Sequence, residues 1–413
     1  MSYWQNLSSV LVGSIVAQIL PVFGSIVIAR QYLPNEFGIY SIWLGFTLFI
    51  AVCLTGRLEA SLPIEEDGEP RRLAVIYVLS TILIFLFILF SAFIFLDLIG
   101  IKYYGLLTLK YIYFSIVASA FMAFVQTWQT WAAAEGFYKK LSIIRIVQAG
   151  SVITFQIIIG IFQKDAAGLI LGQILGLFFS LLVCLFIMPI GANIVTLEFG
   201  NKIINFWKKN KKFPIFSLPA DAINSASSQL PLILIGSKFG AEMAGYFALT
   251  FRVLGAPIGL LGSSALDVFK RHAAVAYRER GECLYEYLHT LKILSVLTII
   301  SSFSFFFMAK SLFVIAFGKN WIMSGEIAVW LIPLFALRFV ASPLSYMVYI
   351  AGKQHLDLGW QISLFIATMT TINFIPSFKI AIMSYSLSYA FLYIIYLFMS
   401  YKLSLGHIND RNN

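Results

Sequence analysis

Three ionisable side chains lie well inside long apolar segments of this sequence: Asp221, Arg252 and Arg338. A charge at such a depth in hydrocarbon is costly, so residues of this kind usually mark a transport pathway or pair with one another. Two guanidinium groups against one carboxylate leave one positive charge over, and guanidinium binds phosphate in a bidentate fashion. The three residues predict a polar cavity for an anion. A salt bridge between Asp221 and one of the two arginines, which would only hold helices together, stays an open alternative.

Polar or small side chains recur at helical spacing in the same segments and in the first half of the chain. Arg252 stands among glycines and alanines, which leave room for a neighbouring helix or a ligand. Gln18 in the first apolar segment and Gln126 in the fourth lie on similar polar faces. Because lipid does not accommodate such faces, we predict that they line one shared cavity. The candidate substrate-binding residues from this pattern are Arg252, Arg338, Asp221, Gln18, Asn224, Gln126 and Gln129.

The apolar segments that must position these residues make up most of the chain. Hydrophobic residues amount to 60% of the 413 residues and charged residues to 12%, which is about half the charged share of ordinary soluble domains. A bilayer offers no partner to backbone N–H and C=O groups, so continuous apolar runs such as residues 74–95 have to form helices. The composition predicts an all-α polytopic membrane protein without an extramembrane catalytic domain.

At about twenty residues per crossing, the chain divides into about 12 transmembrane helices. The predicted spans are residues 9–29, 39–56, 73–96, 111–134, 143–161, 167–190, 213–236, 245–268, 292–308, 326–351, 357–376 and 380–402. Most of the lysines and arginines between these spans fall on the side of the amino terminus. The positive-inside rule then places both termini in the cytoplasm. The net charge of +10 is mainly a topology signal, and the basic cluster at 208–212 is expected to face lipid headgroups and not nucleic acid.

The chain also divides into two halves. Residues 1–190 form a predicted six-helix lobe, 191–212 a basic cytoplasmic linker, and 213–413 a second six-helix lobe. Residues 33–40 align with 239–246, so that the glutamates and the tyrosines of the two turns coincide. Both halves enter the membrane from the same side. The repeat is therefore expected to be parallel, with a pseudo-two-fold axis along the membrane normal and a cavity between the lobes.

Motifs for other chemistry are missing from the sequence. It contains no GxxxxGK[ST] phosphate loop, so direct use of ATP is not expected. Its three cysteines have no CxxC spacing and its four histidines no HExxH grouping, which gives no basis for a metal site or a disulfide framework. We predict neither catalytic residues nor a cofactor.

Three stretches carry a resemblance to a known family. They are residues 29–40 (ARQYLPNEFGIY), residues 57–63 (RLEASLP) and, more faintly, residues 135–145 (EGFYKKLSIIR). In these stretches, in length and in the six-plus-six layout the chain resembles the Wzx-like polysaccharide (O-antigen) flippases of the multidrug/oligosaccharidyl-lipid/polysaccharide exporter superfamily. The resemblance adds Arg57 to the candidate substrate-binding residues.

The resemblance implies transport of an undecaprenyl-diphosphate-linked oligosaccharide repeat from the cytoplasmic to the periplasmic leaflet of a bacterial inner membrane. Two lobes would work by alternating access around a cationic cavity, with coupling to a proton or sodium gradient in some members of the family. Membrane lipids and other polysaccharide assembly proteins are the further partners that it implies. Related lipid II flippases have a cavity rich in arginine, whereas only Arg252 and Arg338 lie well inside the spans of this chain.

Three other functions stay open. A drug or organic-cation exporter of the same superfamily would have an acidic cavity, and here Asp221 stands in a basic setting. A membrane-embedded polysaccharide polymerase or acyltransferase usually has a sizeable outer loop or an intramembrane histidine, and neither is seen. A scaffolding membrane protein would leave the polar faces unexplained.

Overall fold

The structure is a computed structural model, and it describes residues 3–99, 109–190 and 199–406. Within these ranges the chain is helical and has no strand. The α-helices are α1 Tyr3–Gln31, α2 Pro34–Thr55, α3 Glu69–Leu98, α4 Leu109–Ala134, α5 Tyr138–Phe162, α6 Ala166–Ile187, α7 Phe199–Lys209, α8 Leu218–Phe239, α9 Ala241–Pro257, α10 Ser263–Arg280, α11 Leu284–Phe317, α12 Ile322–Leu344, α13 Met347–Ile350, α14 Gln354–Phe374 and α15 Phe378–Ser404. Short 3₁₀ or π-helical segments also occur, at Leu58–Ser61, Phe213–Ser217, Ile258–Gly262 and Lys319–Trp321.

Every predicted span overlaps a helix, so the predicted all-α polytopic fold is confirmed. In the described part of the chain, nine helical stretches are long and apolar enough to cross a membrane. Three further helices, α1, α8 and α14, have 29, 22 and 21 residues, which also suffices for one crossing.

The connection between α6 and α8 contains a helix where the sequence predicts only a linker. α7 buries Ile203 and Phe206, which are one turn apart. The ring of Phe206 lies 5.4 Å from that of Tyr77 on α3, and Trp207 Nε1 donates to Thr81 Oγ1 at 2.8 Å. The lysines of this segment do not indicate a helix, whereas its apolar residues, spaced one turn apart, do. Residues 191–198 of the predicted linker lie outside the described residues.

The helices group into two compact units, residues 1–245 and 246–413. In the first unit α8 packs along α2, where Gly45 faces the side chain of Gln229. In the second unit α12 packs against α11 and α15. The boundary of the first unit thus lies beyond α8, because α8 contacts α2 so extensively. The two predicted six-helix lobes, divided at residues 191–212, stay a prediction.

The first family-like stretch holds the turn between α1 and α2 against α5 and α6. Tyr32 donates to the carbonyl oxygen of Gln156 at 3.1 Å, and burial, together with a nearby aspartate, raises the pKa of Tyr32 to about 12. Glu36 accepts from the N–H of Ala166 at 2.7 Å, which places a negative charge at the amino terminus of α6. Tyr40 donates to a glutamine on α6 at 2.8 Å. These contacts give the stretch a structural role.

The first turn of α2 also contacts the first turn of α9, and both lie in the segments that the sequence aligns as repeats. Gly38 lies against the carbonyl oxygen of Ala241, and Gly245 lies against that of Pro34. Pro34 and Ala241 begin their helices, and in each helix the glycine follows one turn later. The contact is therefore reciprocal. In this contact Gly38 corresponds to Gly245, which lies one residue further along the chain than its partner in the sequence alignment.

We expect Gly38→Ala to destabilise the protein, because the added Cβ would meet the backbone of Ala241. Overpacking of this kind costs roughly 1–3 kcal/mol, and thermal unfolding in detergent measures it. Gly359→Ala is the matched control, since Gly359 lies inside α14 with open space around it and alanine favours a helix. Equal unfolding temperatures for the two variants would show that the turns do not pack tightly.

Candidate functional site

The backbone at the end of α2 is unusual and directs the side chain of Arg57. Gly56 and Arg57 both have a φ of 57°, and Arg57 is the only residue other than glycine with a positive φ in the described part of the chain. A residue with a Cβ in this region costs about 1–3 kcal/mol and persists where its surroundings impose it. The 3₁₀ helix Leu58–Ser61 starts at the next residue. The two left-handed residues thus turn the chain sharply between α2 and this segment.

Arg57 forms ion pairs with two carboxylates. Its Nη1 lies 3.1 Å from Oε1 of Glu59, and its Nε lies 2.5 Å from Oδ2 of Asp221. The Nε–H does not point at the Asp221 oxygen and makes no aligned hydrogen bond, so the second contact is an ion pair held by charge. The Arg57 side chain is 28% exposed and that of Asp221 is 35% exposed. A ligand can therefore reach both groups.

Glu59 is the buried member of this cluster, with a side chain only 2% exposed. Gln126 on α4 donates to its Oε1 at 3.4 Å, whereas Oε2 has no hydrogen-bond partner among the described residues. A buried carboxylate oxygen without a donor is costly. With one guanidinium against two carboxylates, the cluster has a formal charge of −1 when both acids are ionised.

The partner of Asp221 differs from the residues considered in the sequence. Those were Arg252 and Arg338, whereas Arg57 forms the ion pair that the structure describes. Asp221 lies in the first turn of α8, which packs against α2 and brings Asp221 to the end of that helix. Of the predicted residues, Arg57 therefore lies next to Asp221, and Gln126 is linked to this pair by its hydrogen bond to Glu59. Glu59 stands in a family-like stretch, but the sequence assigns it no role.

The remaining candidates of the first unit lie apart from this cluster or are bound elsewhere. Gln129 donates to Gln148 on α5 at 2.7 Å. Gln18 on α1 and Asn224 on α8 are exposed. Because Asn224 follows Asp221 by about one turn, it extends the polar face of α8 beyond the cluster. The polar face predicted for α8 is therefore accessible along its first two turns.

Arg252 and Arg338 lie in the second unit, on α9 and α12, and both are half-buried. The Arg338 guanidinium lies 6.0 Å from the ring centre of Phe251, a distance typical of a cation–π contact. Phe251 in turn meets Phe335 edge-on at 4.9 Å. Arg338 also lies within electrostatic range of three tyrosines of α15. An aromatic setting with a cation is suited to binding a sugar face or an anion.

A cavity of about 400 Å³ in the second unit does not coincide with the charged residues. Its wall is mostly apolar and comes largely from α9, α11 and α12, with Pro257, Thr298 and Phe339 among the lining residues. No charged side chain lines it. In the part of the chain that the structure describes, no three His, Cys, Asp or Glu residues are placed to bind a metal ion. The cluster around Arg57 is therefore the candidate functional site of the first unit.

Arg71 holds the loop that follows the 3₁₀ helix. Its side chain is 5% exposed, and it donates to the carbonyl oxygens of Leu62 at 2.9 Å, Ala134 at 3.1 Å and Glu65 at 2.8 Å. It also pairs with Asp67 at 2.6 Å. Hydropathy and charge do not indicate this role, because in the sequence Arg71 resembles an ordinary positive charge at the start of a span.

The sequence matches a family model described as a polysaccharide biosynthesis protein, over residues 27–326. Among curated protein sequences none matches this chain. Three solved structures share its fold at low sequence identity. The lipid II flippase MurJ in an inward closed conformation has a TM-score of 0.70 and 14% identity, and the match covers 95% of this chain and 87% of that chain.

An inward-facing multidrug resistance MATE family transporter of the MOP superfamily has a TM-score of 0.60 and 13% identity, with 98% of this chain and 95% of that chain covered. A MOP superfamily transporter from Pyrococcus furiosus has a TM-score of 0.58 and 12% identity, with 97% and 95% covered. At these identities the likeness concerns the fold. The family model, in contrast, covers more than half of the chain. This protein therefore belongs to the polysaccharide biosynthesis protein family, and its helices adopt the fold of the MOP superfamily transporters.

Proposed function

We propose that this protein is a flippase that moves an undecaprenyl-diphosphate-linked oligosaccharide repeat across a bacterial inner membrane by alternating access. The family supports a role in polysaccharide biosynthesis, and the fold supports a transporter over an enzyme. The observation that carries the proposal is Arg57, a partly exposed guanidinium held at the end of a membrane span between two carboxylates. A repeat of a surface polysaccharide of the O-antigen type is the substrate we favour.

The physical task explains why such a site is needed. A diphosphate with hydrophilic sugars meets a large desolvation cost in hydrocarbon, whereas the prenyl chain meets none and stays in the lipid. The protein has to give the headgroup polar partners during the crossing. Guanidinium is suited to this because its planar N–H groups match two phosphate oxygens at once.

We infer an exchange of partners at Arg57. Its described ion pairs use Nη1 and Nε, which leaves Nη2 to a phosphate oxygen. An arriving diphosphate competes with Asp221 for the guanidinium and releases the aspartate. A proton or a sodium ion then neutralises the freed carboxylate, which links substrate movement to an ion gradient.

The other candidate residues receive roles in the same proposal. Arg252 and Arg338 bind phosphate or acidic sugars, and the aromatic neighbours of Arg338 stack on sugar rings. Gln18, Asn224 and Gln129 donate to sugar hydroxyls.

In the predicted orientation, Arg57 lies at the cytoplasmic end of its span, where we propose that the substrate is loaded. Lys209 of the basic cluster pairs with Glu65 at 2.7 Å, and Glu65 follows the 3₁₀ helix by a few residues. The cluster and the Arg57 site therefore lie at the same end of the first unit. The positive-inside rule makes that end cytoplasmic.

A deletion strain tests the proposal. We expect the lipid-linked repeat to accumulate on the inner leaflet, and expression of the wild-type chain to restore surface polysaccharide. Asp221→Asn should reduce this restoration, because it removes the carboxylate charge that pairs with Arg57 and that the diphosphate displaces in the proposed exchange. Repeats that accumulate on the outer leaflet would point to a polymerase instead and would contradict the flippase.

A cation exporter of the same superfamily is the second candidate, and one observation favours it. The Arg57 cluster has a formal charge of −1, which suits an organic cation better than an anion. Efflux of a cationic dye from cells measures this activity. Efflux that is present in the wild type and lost in Asp221→Asn, with surface polysaccharide unaffected, would establish the exporter and rule out the flippase.

A further inference from the structure

A basic surface beside α7 lies outside the site described above. Its residues are exposed and come from α7 and the segment that leads to α8: Ile204, Lys208, Lys211, Lys212, Ile215 and Phe216. We call this set the α7 surface. The apolar side chains in it are exposed to 45% at Ile204, 56% at Ile215 and 70% at Phe216. Large apolar side chains between lysines are typical of a helix that lies in a membrane interface.

The opposite face of α7 is docked on the first unit. Ile203, Phe206 and Asn210 are buried at 6%, 7% and 8% exposure. The Trp207 bond to α3 and the ion pair of Lys209 with Glu65 add polar contacts to this face. The α7 surface is therefore held in place by the protein and is not part of a loose loop.

The location of the α7 surface indicates its ligand. A few residues after Lys212 the chain enters α8, a helix of spanning length. The lysines therefore lie at the level where lipid headgroups begin. Lysine side chains extend their aliphatic parts along apolar surface and place the ammonium group among the headgroups. Clusters of this kind next to a span attract anionic lipids.

We propose that the α7 surface binds the anionic phospholipid headgroups of the leaflet it faces, with Ile204, Ile215 and Phe216 inserted between the acyl chains. This inference is independent of the proposed transport function. It also has a structural consequence, because Glu65 joins α7 to the loop near Arg57. Lys209 and Asn210 contact the Glu65 carboxylate, and Arg71 binds the Glu65 carbonyl oxygen at 2.8 Å. Lipid bound at α7 therefore stabilises that loop.

Thermal unfolding of the full-length protein in neutral detergent tests the proposal. We expect added phosphatidylglycerol to raise the unfolding temperature more than phosphatidylcholine does, and high salt to weaken the difference. The triple variant K208Q/K211Q/K212Q should lose at least half of the difference. The triple variant K208R/K211R/K212R should keep it, because the charge is retained.

Two results would overturn the proposal. One is an unchanged response to phosphatidylglycerol in the triple glutamine variant, or in K208Q/K211Q if the triple variant does not fold. The other is an equal rise in unfolding temperature with soluble inorganic pyrophosphate and no lipid, if the triple glutamine variant loses that rise. That result would assign the lysines to the phosphate groups of a substrate instead of the membrane surface.

Discussion

Arg57→Ala should abolish the restoration of surface polysaccharide in the deletion strain. Loss of a charge-assisted bond to the substrate costs about 1.5–3 kcal/mol, which corresponds to a roughly ten- to hundredfold weaker interaction. The same change leaves Glu59 buried without its cation, and an uncompensated buried charge lowers stability. Transport and stability are therefore both expected to fall, and they have to be measured separately.

A double variant separates the two effects. Arg57→Ala with Glu59→Gln removes the uncompensated charge, and the glutamine can still accept from Gln126. We expect this variant to regain much of the unfolding temperature in detergent but not the transport. Arg57→Lys should fold and transport weakly, because an ammonium group cannot make the same planar contacts. If the double variant transported at the wild-type rate, Arg57 would have only a structural role.

Arg71→Ala should produce the largest loss of stability among single changes in this region. The substitution removes three hydrogen bonds to carbonyl oxygens and two ion pairs, with Asp67 and Glu135, from a side chain that is 5% exposed. At about 1 kcal/mol for each hydrogen bond, we expect a loss on the order of 3 kcal/mol. Thermal unfolding in detergent measures the loss, and the amount of protein in the membrane should fall with it.

The neighbouring Arg72 provides the matched control. It has the same charge and lies one residue further along α3, but its side chain is exposed. Arg72→Ala should change the unfolding free energy by less than about 0.5 kcal/mol. Equal effects of the two substitutions would mean that the net positive charge at this end matters and that the Arg71 hydrogen bonds do not.

The helical architecture follows closely from local properties of the chain. Each predicted span overlaps a helix, because apolar length and the need to pair backbone groups act within a segment of about twenty residues. The helix α7 was not predicted, because it is neither long nor continuously apolar. Its lysines resemble a loop, and the apolar positions that dock it on α3 form only a short pattern.

The candidate site was predictable in part. Asp221 and Gln126 stand out as polar residues in apolar segments, and Arg57 stands in a family-like stretch. Glu59 does not stand out, because it follows a span by a few residues and looks like an ordinary charge in a loop. Its burial depends on the left-handed turn at Gly56 and Arg57, which hydropathy does not report.

By itself the sequence determined that this protein is a bundle of membrane-spanning helices and which side chains are too polar for lipid. Hydrophobicity and charge are properties of individual residues, and their spacing along the chain is enough for both conclusions. Only the tertiary structure decided that Arg57 pairs with Asp221 and Glu59. An ion pair needs its atoms within a few ångströms. The packing of α8 along α2 brings Asp221 to Arg57, and the left-handed turn at Gly56 and Arg57 brings Glu59 there.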